Sequence, residues 1–154
     1  MRIFGFLIIF VSLLLTILSA FLGLGLPAFM KGLIDVASFT CVMGPALGGC
    51  LIAYGSECGT AFKPRPNREE AAIAVGFYKL AVRISIGSGF IGTMFGWIAM
   101  LGSASGGGGI DIDMGALYGG LAVSLITILY GLVFAFTLFL PLQYYFQHQL
   151  DKDS

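Results

Sequence analysis

Groups able to move a proton, attack a carbon or hold an ion are few and scattered in this chain of 154 residues. Cys41, Cys50 and Cys58 are an odd set with no CxxC pair and no zinc-like spacing, and are read as buried or free thiols. His148 stands in a polar tail and is read as solvated. No Ser-His-Asp or Cys-His set, paired carboxylate or HExxH appears, so no catalytic residue, metal or cofactor is expected and enzyme is the weakest class. The glycines at 106–109 follow no strand and precede no lysine in phosphate-loop register, so they are not read as a phosphate cradle. What remains deep in the apolar runs at 84–101 and 114–145 are the hydroxyls of Ser88, Thr93, Ser124 and Thr127. With backbone carbonyls they could replace part of a sodium ion's hydration shell, but none titrates usefully, so a proton relay needs its acid from elsewhere. Hydroxyls in membrane helices also bond the carbonyl one turn earlier or join helices, and that second reading stands beside the first. Asp35 is within one turn of Lys31 and is read as an interfacial ion pair.

The elements that must carry these hydroxyls follow from composition. The chain is 58% hydrophobic and 10% charged, where a soluble domain averages about 25% charged. Sixteen charges cannot coat a soluble protein of this size. Net charge is zero, so no basic field exists to attract nucleic acid. The 23 glycines would each weaken a soluble helix, but they suit helices that pack closely in lipid.

A hydrocarbon core about 30 Å thick needs roughly 20 helical residues, and four apolar runs are long enough: about 3–26, 36–54, 84–101 and 114–145. The expectation is an all-α, polytopic membrane protein with four transmembrane helices, forming a single membrane domain over 1–154. In the first run Leu18-Ser19-Ala20 resembles a signal-peptide cleavage site, yet the apolar stretch continues past Ala20, which predicts a retained helix. The second contains Gly44, Pro45, Gly48 and Gly49, tolerable where a neighbouring helix packs, which predicts a place inside the bundle with partial lipid exposure. Before the third, Pro66 stops anything upstream, Asn67 can cap and Glu70 follows three residues later, so its helix should begin before the membrane. Lys79 and Arg83, four apart on one face, can snorkel to headgroups or meet anionic lipid. Pro141 with Tyr144, Tyr145 and Phe146 marks the far boundary of the fourth run.

Seven of the eight basic residues fall on one side of a four-span topology, with Lys31 alone on the other. The positive-inside rule then places both termini and the short segment 55–83 in the cytoplasm, and the loop carrying Asp111 and Asp113 outside.

Two stretches carry a resemblance. They are Gly89-Phe90-Ile91-Gly92-Thr93-Met94-Phe95-Gly96 with Ala99-Met100-Leu101, and Leu121-Ala122-Val123-Ser124-Leu125-Ile126-Thr127-Ile128-Leu129-Tyr130-Gly131 with Pro141-Leu142. They resemble the third and fourth helices of the MotA/TolQ/ExbB ion-channel family, closest to its flagellar-stator MotA branch. Ile34-Asp35-Val36-Ala37-Ser38-Phe39 is similar to the segment opening the second helix of that branch. The resemblance implies a homo-oligomeric, pentameric ring in a bacterial inner membrane, surrounding a single-span partner of MotB, ExbD or TolR type whose aspartate carries the ion. It implies that Thr93 and Thr127, with Ser124 beside them, line an ion path facing the partner. It implies that Gly89, Gly92, Gly96 and Gly131 allow close helix approach, with Pro141 beyond them. Proton or sodium flow would then drive motion of the ring against the partner; the alternative is a non-conducting scaffold ring. Ile86 stands where the branch has a proline and Ile128 where it has a second threonine, and the large cytoplasmic domain between spans two and three is missing.

Overall fold

The computed structural model describes residues 35–64, 66–106 and 114–152, with the side chains of 103–106 and 116 left aside. The chain divides into Met1–Val36 and Ala37–Ser154, and the architecture below is that of the second unit. The run 3–26, Lys31 and the two aspartates at 111 and 113 lie outside the described residues.

The described residues contain helices and no strand. Helix α1, Val36–Tyr54, coincides with the second apolar run and carries Pro45 within it. Ser38, Val42, Ala46 and Cys50 recur every fourth residue and form its buried face, while Leu47, Leu51 and Ile52 remain exposed. Gly55 takes a φ of +51°, the left-handed conformation that ends a helix without a Cβ penalty. A 3-10 helix, Gly55–Phe62, follows.

Helix α2, Arg68–Gly106, runs for 39 residues, about 58 Å at 1.5 Å per residue and nearly twice the hydrocarbon thickness. Its start is the expected capping box. Asn67 Oδ1 accepts from the Glu70 N–H at 2.9 Å, and Glu70 Oε2 accepts from the Asn67 N–H at 3.1 Å. Lys63 pairs with the other carboxylate oxygen of Glu70 and ties the 3-10 helix to this cap. The helix passes unbroken through Ile86, where proline would have interrupted it.

Helix α3, Met114–Val133, leads through a π-helical segment, Phe134–Phe139, into α4, Leu140–Lys152. The π segment has a cause in Pro141, which lacks an N–H and whose ring would strike the Thr137 carbonyl of a regular helix. The backbone widens instead, and the Leu140 N–H reaches back to the Ala135 carbonyl. The helix therefore continues past the aromatic cluster that marks the end of the fourth run, as far as Lys152.

α2 has its most extensive contacts with α3 and then α4. The pairings Met100 with Gly120, Gly96 with Ser124 and Ser85 with Gly131 make α2 and α3 antiparallel. α1 bridges both, through Val42 to Ser88 and through Ser38 to Thr127.

Three helices in the unit are long and apolar enough to cross a membrane: Val36–Phe62, Arg68–Gly102 and Leu117–Lys152. An all-helical membrane protein is thus what the structure supports, with three of the four expected spans among the described residues.

Candidate functional site

The hydroxyls singled out in the sequence meet in one seam between α1, α2 and α3. On α2 the residues Ser85, Ser88, Gly89, Gly92, Thr93 and Gly96 repeat at intervals of three and four, so they form one face of the helix. Facing them on α3 are Ser124, Thr127 and Gly131 at the same intervals.

Small residues set the separation. A Cβ on Gly131 would lie 2.6 Å from the Ser85 carbonyl oxygen, and one on Gly89 would lie 3.2 Å from both the Gly131 Cα and the Thr127 carbonyl oxygen. Those neighbours are backbone, so no rotamer change can make room, and the two glycines are what lets the helices touch. Gly92 faces the Thr127 methyl and Cys41 Sγ, and Gly96 faces Ser124 Cβ.

Within this close seam every predicted hydroxyl has found a hydrogen-bond partner. Thr93 Oγ1 donates toward the Gly89 carbonyl one turn earlier at 2.9 Å and the Ser124 carbonyl across the seam at 3.0 Å. Ser124 Oγ donates to the Leu121 carbonyl at 2.8 Å. Thr127 Oγ1 and Ser38 Oγ share a hydrogen bond of 2.7 Å, joining α3 to α1. Ser88 Oγ donates to the Ile84 carbonyl at 2.8 Å, with the Val42 carbonyl of α1 within reach at 3.4 Å. Thr93 is 3% exposed, Ser124 3% and Thr127 5%, so in the isolated subunit they point between helices. From Val36 onward the stretches of α1, α2 and α3 that line the seam carry no carboxylate or imidazole, and Asp35 stands just before α1, three residues from Ser38.

Two members were not singled out in the sequence. Ser38 was quoted only as part of a resembling segment, and its place opposite Thr127 required the fold. Ser85 is fully buried and its Oγ has no hydrogen-bond partner. Its spacing of three and four from Ser88 and Gly89 is the signal in the sequence that could have found it. Pro141 lies outside the seam, one element beyond, where it shapes the π segment. Among the described residues no group of three or more His, Cys, Asp or Glu could hold a metal ion.

A long capped helix and a second apolar helix joined through a glycine and hydroxyl seam fall together in the second half of the chain, and there a family model matches. It is that of the MotA/TolQ/ExbB proton channel family, over residues 66–154. The chain belongs to this family. The matched region takes in α2 from its cap onward, α3, the π segment and α4, and so holds both walls of the α2/α3 contact. Membership makes the chain a membrane protein of a proton-channel family, a family of channels rather than of enzymes. The match does not separate the MotA branch from its siblings. No curated protein matches the chain closely enough to be named as a relative.

Proposed function

We propose that this chain is the ring subunit of an ion-driven motor or channel in a bacterial inner membrane. Five copies surround a single-span partner, and proton or sodium flow moves the ring relative to it. The observation that carries the reading is the convergence of Thr93, Ser124 and Thr127 in a seam whose helices, from Val36 onward, contribute no carboxylate or imidazole. A chain of a channel family whose own apolar runs lack an acid needs one from a partner, and an aspartate on a single apolar span supplies it. The hydroxyl oxygens keep lone pairs after donating their hydrogens, and with the seam's carbonyls they can stand in for hydration around a passing cation. Both termini and the polar segments between α1 and α2 lie on the cytoplasmic side in this reading.

The test is ion flux in liposomes holding the chain together with its co-purifying partner. Thr93→Ala with Thr127→Ala is expected to reduce flux at least tenfold while the ring still assembles. Flux equal to the parent's would remove these residues from the path.

One observation favours the second reading, a non-conducting scaffold ring. The seam hydroxyls donate to their own subunit, which is also how hydroxyls serve when they only join helices. A parent complex with partner bound and no flux under an applied potential would establish the scaffold.

A further inference from the structure

Away from the seam, α2 presents a second face that no other described element covers. At 100° per residue, Lys79, Phe90, Met94, Trp97 and Leu101 all fall within about 40° of the direction of Arg83. Lys79, Arg83, Phe90, Trp97 and Leu101 are exposed on the described unit. The two cations sit one turn apart, and after Arg83 no charged residue follows on α2 as far as its end at Gly106. From Arg83 to Leu101 the helix rises about 27 Å, close to the roughly 30 Å hydrocarbon core. When the apolar stretch spans that core, Lys79 and Arg83 therefore stand at the level of phosphate groups. Neither cation makes an ion pair among the described residues, where the one salt bridge is Lys63 with Glu70. The nearest acid on the same face is Glu69, ten residues before Lys79, about 15 Å along the axis.

We propose that Lys79 and Arg83, with the apolar face that rises from them through Phe90 and Trp97, form a binding site for an anionic phospholipid. The lipid phosphate lies between the ammonium and guanidinium groups and an acyl chain lies along the aromatic side chains. Arg83 can offer two parallel N–H donors to phosphate oxygens and Lys79 a point charge beside them. Charge complementarity selects the occupant: two uncompensated cations favour a headgroup with net negative charge over a zwitterion, whose own ammonium would be repelled. The inference rests on membrane placement and family membership alone and does not require that the chain conducts ions.

The experiment is native mass spectrometry of the full chain in detergent with equimolar phosphatidylglycerol and phosphatidylcholine. Phosphatidylglycerol is expected to be retained preferentially. At about fivefold in affinity per basic residue, Lys79→Gln with Arg83→Gln should cut that preference about twenty-five-fold while phosphatidylcholine binding is unchanged. Lys79→Arg should keep it, which separates loss of charge from loss of fold, and Lys152→Gln, on a different helix, should also keep it. Equal retention of the two lipids by the parent chain would overturn the proposal. So would a double variant that keeps its preference, or one whose only change is fewer copies per complex, which would make the occupant a neighbouring copy.

Discussion

The same two helical columns, α2 and the α3–α4 continuation, are joined in two unlike ways. Along the seam they meet through Gly89, Gly131, Ser85 and Ser124, close enough that an added methyl group would strike backbone. Farther down they are held by large rings. Tyr78 stacks on Phe146 at 5.7 Å and lies 6.5 Å from Phe139, while Phe77 meets Tyr78, Tyr54 and Phe62. Ala61, Ala74, Ala81 and Cys50 fill the gaps between these rings. The Tyr78 hydroxyl donates to the Ala61 carbonyl at 2.8 Å and fastens the 3-10 helix onto α2. Between the regions lies the π segment, whose extra residue in the turn lets the column change from small residues at Gly131 and Ala135 to rings at Phe139 and Phe146 while keeping one face toward α2.

The difference follows the surroundings. Charged residues of the described unit gather around the aromatic region, from Glu57 and Lys63 through Arg68, Glu69, Glu70, Lys79 and Arg83 to Asp151 and Lys152. Where water reaches the surface, burial of apolar rings stabilises by removing area from it. The seam lies in the uncharged part, where lipid is as apolar as the side chains and that driving force vanishes. Close packing and interhelical hydrogen bonds are then what can hold helices together.

The contrast can be broken at its most rigid point. Gly131→Val should prevent α2 and α3 from docking, an effect above about 4 kcal/mol because backbone cannot yield to the new methyl groups. Gly87→Ala on the same α2, where no atom lies within 4 Å of the added Cβ, should be tolerated. Thermal unfolding of the full chain in detergent reads both, and a well-folded Gly131→Val protein would disprove the close contact.

In the aromatic region the expected loss is smaller and of another kind. Phe146→Ala should cost about 3 kcal/mol, as emptying a packed aromatic site does. It should free the amide hydrogens of α4 to exchange while those of α2 between Gly89 and Gly96 stay protected. Loss of protection in both places at once would mean that the two regions form a single cooperative unit.

The smallest effect sharpens the comparison from inside the seam. Ser85→Ala should raise stability by up to about 1 kcal/mol, since its buried hydroxyl has no partner to lose. A destabilised variant would show that this hydroxyl is satisfied in the membrane, by water or by another chain.

Much of this was legible in the residues. The uncharged length of three runs forecast three long helices, and Asn67 with Glu70 forecast the start of α2 before its apolar stretch, because capping is a local interaction between neighbours in sequence. The family resemblance singled out Thr93, Thr127 and the glycines at 89, 92, 96 and 131. Which face met which was not legible. The bond between Ser38 and Thr127 spans 89 positions, and nothing local to either residue points to the other. Nor did the spacing around Arg83 separate Ser85, buried in the seam, from Lys79, exposed on the opposite side.

By itself the sequence determined the solvent, the helices and the lack of an acid within the apolar runs that form the seam, because these depend on composition and on contacts within one helical turn. Only the tertiary structure decided that Thr93, Ser124 and Thr127 share one seam with Ser38, that Thr93 and Ser124 spend their hydrogens on carbonyls of their own subunit, and that Pro141 is absorbed by a π segment. Those outcomes depend on how close two backbones come, a distance set jointly by side chains far apart in the chain.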